Sequence, residues 1–275
     1  MAGIESYSAG KSCISLKQYI IISGNITLST VFFTMTKATE LRIKTNPSNS
    51  AIVDGSTPVV FFGNIKKSTV ATLGINPSKN EFKNNSTLLI GREMRFETLT
   101  SLSASNLSGL TNSQVQKVYD TCLRYFKANP YRKWFDQLQN NILEKFSVSY
   151  YSDTACHLDI VQWATDPIWR SLDYTTKYQL IQSDIDFLAT QLNDEKIEIL
   201  LINGIEATGI FLKHFKPTLI KQDKLVVANK TCNVYQFDLQ LSNKQIKTYA
   251  WSNNLQSTVG LTNQMRTEIG NWIGQ

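Results

Sequence analysis

The chain has 275 residues, 42% of them hydrophobic and 18% charged, and carries a formal charge of +6. That length can bury a full α/β core, and the ordinary balance of apolar and charged residues excludes a disordered or fibrous chain. The positive charge points to a polyanionic partner such as nucleic acid, and no stretch approaches the ~18 continuous apolar residues of a membrane span.

Cys13, Cys122, Cys156 and Cys232 lie far apart with no C-x-x-C pair, so the spacing supports neither a zinc site nor an iron–sulfur cluster. No metal and no cofactor are expected, and the cysteines read as buried, reduced thiols of a soluble cytoplasmic protein. The run Tyr19-Ile20-Ile21-Ile22 is short and is interrupted by Ser23, Gly24 and Asn25, unlike a signal peptide.

Residues 1–57 are rich in Ser, Thr and β-branched side chains. Asn25–Leu28 and Thr30–Thr34 favour strands, with turns at Asn46–Ser50 and Asp54–Pro58. This part reads as an N-terminal extension packed on a core formed by residues 58–275. From residue 58 onward short apolar runs alternate with amphipathic stretches. Val70–Ile75, His157–Val161, Ile197–Ile202 and Lys247–Trp251 suit buried strands. A helix starts at a Thr111/Asn112/Ser113 cap and carries Val115, Val118, Tyr119, Cys122 and Phe126 on one stripe. Asn129-Pro130 breaks it, and a second helical piece carries Trp134, Leu138, Ile142 and Phe146. Further helices are predicted near 175–192, 205–215 and 262–273. Buried strands alternating with helices predict a mainly parallel sheet of about four strands covered on both faces, with ligands bound at the carboxyl ends of the strands.

Three polar motifs fall just past those ends. The first is Gly74-Ile75-Asn76-Pro77-Ser78, in which Pro77 fixes its own φ and restricts Asn76, so that the amide is firmly held. An ordinary Asx-Pro turn is the alternative reading of this segment. The second is His157-Leu158-Asp159-Ile160-Val161-Gln162, and the third is Trp251-Ser252-Asn253-Asn254-Leu255. Leu200-Leu201-Ile202-Asn203-Gly204 leads into a helix whose first amides could hold a phosphate.

Gly-Ile-Asn-Pro-Ser at the end of the first strand resembles the water-activating motif of the uracil-DNA glycosylase superfamily, closest to the branches that carry Gly-x-Asn-Pro-Gly. The resemblance covers residues 66 to 275 as an order of elements, with only short motifs matching. It implies a three-layer αβα sandwich with a uracil-DNA glycosylase-like sheet, and makes Asn76 the residue that positions the attacking water. The strict uracil enzymes have a tyrosine two residues later, which blocks C5 substituents. Ser78 stands there in this chain and leaves room for a bulky C5 group.

By the same resemblance Asp159 takes the place of the Asn that reads the Watson–Crick edge of uracil, with His157 or Gln162 as alternative registers. A carboxylate only accepts hydrogen bonds, so it would pair with the N4 amino group of cytosine and repel O4 of uracil. A turn cap or a lysine partner is the structural alternative for Asp159. Phe82, or Phe62 beside Gly63, is placed to stack on a flipped base, although aromatics near strands are more often core. The family's His-Pro-Ser is missing from the third motif, which offers Ser252, Asn253 and Asn254 as polar contacts to DNA and Leu255 as a wedge. His157 is then the candidate to stabilise the leaving base. Lys79, Lys83, Arg92 and Arg95 flank the first motif as a phosphate-binding cluster or a solvated face.

Together these readings imply a monomeric, monofunctional DNA glycosylase acting on double-stranded DNA. It would flip a modified cytosine, such as (glucosyl-)hydroxymethylcytosine, and leave an abasic site, as bacterial phage-defence glycosylases do. Repair of uracil or oxidised pyrimidines, a catalytically silent DNA-binding module and a nucleoside hydrolase stand as alternatives.

Overall fold

In a computed structural model of the chain, the backbone is described for residues 13–22, 25–256 and 261–275, with side chains from residue 35 onward within those spans. Strands β1 (Cys13–Ile22) and β2 (Asn25–Thr34) pair antiparallel, with Cys13 opposite Thr34 and Ile22 opposite Asn25. Helix α1 (Lys37–Ile43) follows, its first turn capped by Thr36, whose side chain accepts from the Thr39 N–H. Arg42 of α1 is buried, with Nη2 2.5 Å from Asp184 Oδ2. Ile52 and Val53 are also in the core, and the Val53 N–H donates to the Ala164 carbonyl. Residues 37–57 therefore pack directly on the body that follows.

Strand β3 (Val70–Gly74) is buried at every position, so both of its faces are covered. A 3-10 turn and the short pair β4 (Lys83–Asn84) and β5 (Thr87–Leu88) lead away from it. Helix α2 (Asn112–Leu123) starts at a capping box in which Thr111 and Gln114 exchange backbone-to-side-chain hydrogen bonds. It buries Val115, Val118, Tyr119 and Cys122, the predicted stripe. Helix α3 (Arg132–Asn141) differs from its reading: Phe135 and Leu138 are buried, while Trp134 is turned only partly inward. Strand β6 (Ala155–Asp159), helix α4 (Tyr174–Asp194), strand β7 (Ile199–Asn203) and helix α5 (Ile205–Phe215) come next. Strands β8 (Thr218–Val227), β9 (Lys230–Gln240) and β10 (Gln245–Trp251) and helix α6 (Asn263–Ile273) complete the order.

The result is a mixed α/β fold around a six-stranded sheet in the order β6-β3-β7-β10-β9-β8. β6, β3, β7 and β10 are mutually parallel, at the four runs read from sequence. β9 runs antiparallel to β10, and β8 to β9. The hairpin β8–β9 is an addition that the apolar pattern did not reveal. Nearly all of β8 is exposed, so it carries no buried apolar face to read. Its turn, Ala228-Asn229, has both residues at positive φ (+45° and +63°), the conformation that suits the twist of a two-residue hairpin.

Parallel register aligns the strand ends that matter. Gly74 lies opposite Asp159, and Trp251 opposite Asn203. β6 lies on one side of β3 and β7 on the other, and connections diverging in this way open a crevice at the carboxyl ends. Among the described residues no helix is long and apolar enough to cross a membrane. Cys122, Cys156 and Cys232 are buried free thiols, and burial pushes Cys122 and Cys156 up to about 12, which leaves them unreactive at neutral pH.

Candidate active site

A cavity of about 500 Å³ opens at those strand ends. Asn76, Ser78, Glu81, His157 and Asp159 contribute its polar wall, and Tyr131, Trp134 and Trp169 its aromatic one. That volume suits a small ligand such as a flipped base.

Asn76 is held by the strand next door. Its amide nitrogen donates to the Trp163 carbonyl at 3.1 Å and to Thr165 Oγ1 at 3.2 Å. Both amide protons are thus committed, and Oδ1, which has no hydrogen-bond partner among the described residues, is left as an acceptor. The loop that supplies these partners is fixed in turn, because the Val161 N–H donates to the Ile75 carbonyl at 2.8 Å.

His157 and Asp159 form one polar chain with the core behind them. His157 Nε2 lies 3.3 Å from Asp159 Oδ1, and Nδ1 lies 2.7 Å from Thr72 Oγ1. Thr72 Oγ1 is 2.5 Å from the Tyr150 hydroxyl, whose acidity burial suppresses, pushing its pKa well above the usual tyrosine range. A consistent proton arrangement follows: Tyr150 O–H donates to Thr72, Thr72 O–H to Nδ1, and Nε2–H to Asp159. Both imidazole nitrogens are therefore occupied. That corrects the sequence expectation for His157, which orients Asp159 and has no nitrogen spare for a leaving base. Gly74 permits the arrangement, since a Cβ there would lie 2.5 Å from Asp159 Oδ1 and 3.1 Å from His157 Nε2.

Sequence reasoning missed Glu81. It is buried, lines the cavity, and accepts from the Tyr125 hydroxyl through Oε1 at 2.8 Å. Its Oε2 is buried without a hydrogen-bond partner, although Arg95 Nε stands 3.8 Å away. Burial raises its carboxyl to about 7. The Tyr125 hydrogen bond and the Arg95 charge oppose that rise, and the Asp159 charge adds to it. A glutamate in a 3-10 turn reads as solvent-facing, so only three-dimensional packing exposes this role.

The other expected contacts separate into two groups. Phe62, Ser78, Lys79 and Asn254 line the cavity, as does Asn203. Ser78 Oγ also caps the 3-10 turn by accepting from the Asn80 N–H. Phe82 does not reach the cavity: it is buried and stacks on Phe96. Trp134 and Tyr131 stand where an aromatic was sought. Gly63, at φ +87°, serves the core, because a Cβ there would strike the Phe126 ring. Leu255 is wholly buried, and its N–H donates to Asn203 Oδ1, so it is no exposed wedge. Gly204 N–H donates to the Trp251 carbonyl and Ile205 N–H to that of Ser252, which removes both amides from phosphate binding.

Ser252 accepts from the Asn233 N–H and donates to Asn253 Oδ1, an arrangement internal to the loop. Lys79 and Lys83 both pair with Asp166, at 3.0 and 3.5 Å. Arg95 donates to the carbonyls of Asn80 and Asn129, while Arg92 is exposed. Lys83, Arg95, Asn84, Asn85, Asn129 and Tyr131 are among the residues around a second, polar cavity of about 520 Å³. Tyr131 belongs to both cavities.

No protein-family model matches this sequence, and no curated protein matches it.

Proposed function

We propose that the chain is a monofunctional DNA glycosylase with a three-layer, uracil-DNA glycosylase-like catalytic domain. It flips a C5-modified cytosine out of duplex DNA and hydrolyses the N-glycosidic bond. The observation that carries this reading is the tethered Asn76 amide at the mouth of a base-sized cavity. With its nitrogen spent on Trp163 and Thr165, its Oδ1 accepts a hydrogen bond from a water and aims that water's oxygen at C1′. Strong basicity is unnecessary once the bond to the base has largely broken, so orientation suffices.

Asp159 supports a cytosine-type base. Braced by His157, its carboxylate accepts from the N4 amino group and repels an O4 carbonyl. Ser78 in the cavity wall supports a substituent at C5, and the polar cavity beyond Tyr131 offers volume for a larger group such as a hexose. Lys79, Lys83 and Arg92 supply cationic charge for the DNA backbone. In this reading the protein acts as a monomer in the cytoplasm, in defence against viral DNA carrying modified cytosine.

The test incubates the protein with duplexes containing uracil, 5-hydroxymethylcytosine or its glucosylated form, and scores alkali-labile sites. Wild type is expected to cleave a modified-cytosine duplex and Asn76→Ala to leave it intact. If wild type leaves every duplex intact, or Asn76→Ala cleaves as wild type does, the proposal fails.

A further inference from the structure

The catalytic reading above leaves the departing base without a partner for its negative charge, since both nitrogens of His157 are engaged. We infer that Glu81 is the general acid of the site, delivering the proton of its buried carboxyl to the leaving cytosine. This rests on the glycosylase reading and extends it.

Geometry sets Glu81 apart from every other carboxyl near the cavity. Oε1 is saturated by the Tyr125 hydroxyl, which itself accepts from the Tyr131 N–H at 2.9 Å. Oε2 is sealed from solvent with no hydrogen-bond partner. The charged groups that face it are Arg95 at 3.8 Å and Asp159, which is tied to His157. Arg95 spends hydrogen bonds on the carbonyls of Asn80 and Asn129, so it does not fully compensate a charge on Oε2. A carboxyl in such a place keeps its proton near neutral pH, as the rise to about 7 reflects.

A protonated Oε2 is a buried donor with no acceptor in the protein, which is costly unless an occupant supplies one. Cytosine does. Its N4 amino group is a donor for Asp159, and N3 and O2 are acceptors for Glu81. One acceptor and one donor, fixed by two carboxyls in opposite protonation states, match that edge and mismatch the edge of uracil.

In the reaction the C1′–N1 bond breaks with its electron pair going to the base. The Asn76-bound water forms the new C1′–O bond and releases a proton to solvent. Glu81 gives its proton to N3 of the base, which leaves neutral, and the resulting carboxylate is reloaded from solvent. One water is consumed, and one base and one abasic deoxyribose are formed.

The experiment uses the full chain and single-turnover excision of 5-hydroxymethylcytosine across about pH 5.5 to 8.5. The wild-type rate is expected to fall above about pH 7, approaching tenfold per pH unit, because the acid form of Glu81 is lost. Glu81→Gln keeps the shape of the side chain and cannot transfer a proton. It should lose roughly a hundredfold or more and show no such fall. Its defect should shrink with 5-fluorocytosine, whose ring needs less help to leave. The infrared band of a protonated carboxyl, present in wild type at about pH 6 and missing from Glu81→Gln, checks the protonation state without reference to activity.

Wild type that cuts while Glu81→Gln matches its rate and pH profile overturns this inference and leaves the glycosylase reading standing. Absence of the carboxyl band overturns it too, even where Glu81→Gln folds poorly. Wild type that cuts nothing overturns both.

Discussion

Gly74 and Asp159 face each other across the β3–β6 ladder so closely that no side chain fits between them: a Cβ on Gly74 would lie 2.5 Å from Asp159 Oδ1. The same Cβ would press on the His157 ring at 3.1 Å. All three residues line the cavity, so the smallest possible substitution tests whether the carboxylate's position matters. Gly74→Ala should displace Asp159 or His157 and cost about 1–3 kcal/mol of stability through overpacking. A shift of even about 1 Å in a positioned group costs on the order of a hundredfold in rate. Thermal melts should show a folded protein while base excision drops by that order. A variant that is folded and fully active would show that the close approach has no catalytic use.

Asp159 carries the choice of base, and its isosteric amide probes it. Asp159→Asn replaces an acceptor by a group that also donates, which suits O4 of uracil. A reversed contact of this kind is worth about 1–3 kcal/mol, a shift of roughly 5- to 150-fold in the ratio of uracil to modified-cytosine excision. Competition between the two duplexes in one tube reads the ratio directly. An unchanged ratio would place base discrimination elsewhere.

Stability should also report the state of Glu81. Burial raises its carboxyl from 4.5 in the unfolded reference to about 7, so the folded protein holds the proton more tightly than the unfolded chain does. The stability it contributes is fully present below about pH 4.5 and is lost as pH rises through about 7. Glu81→Gln has nothing to titrate there. The melting temperature of wild type should therefore decline relative to Glu81→Gln between about pH 5 and pH 8. A difference that stays constant over that interval would mean that Glu81 is not held protonated.

The parallel strands and the Asn76 turn were legible because they are written locally. Four short apolar runs mark β3, β6, β7 and β10, and Asn76-Pro77 stands at the end of the first. Burial of the remaining site residues was not written that way. Leu255 has the same identity whether it projects as a wedge or donates its N–H to Asn203 in the core. Phe82 and Trp134 are both aromatics beside the motifs, and only the packing of Phe82 on Phe96 sends one inward and leaves the other at the cavity. Glu81 was hidden for the opposite reason: a charged side chain predicts exposure, and the Tyr125 hydroxyl that receives it comes from 44 positions away in sequence. The exposed strand β8 has no apolar periodicity at all.

Arg42 and Asp184 test whether α1 belongs to the core body. Their 2.5 Å contact joins α1 to α4 with both side chains buried, and Asp184 Oδ2 also accepts from the Gln162 N–H at 2.8 Å. Removing one partner strands the other charge away from water. Arg42→Ala should destabilise the protein by about 3–5 kcal/mol, and Arg42→Met together with Asp184→Leu should recover part of that loss. Denaturant midpoints for the two variants decide the point. A loss within ~0.5 kcal/mol for Arg42→Ala would mean that the segment detaches without consequence.

Asp166 restrains the charge at the mouth of the cavity. It holds Lys79 at 3.0 Å and Lys83 at 3.5 Å, and these two lysines keep its carboxyl below the usual range. An exposed ion pair adds little to stability, so Asp166→Asn should fold as wild type does. It does free two cations for phosphate, and each phosphate neutralised contributes about −0.9 to the slope of log affinity against log salt. Binding to a non-specific duplex should therefore tighten at low salt and weaken more steeply as salt rises. Lys79→Ala with Lys83→Ala in the same background should return both the affinity and the slope below wild type. If Asp166→Asn leaves the salt slope where it was, the DNA backbone passes elsewhere on the surface, and the cavity must be approached from another side.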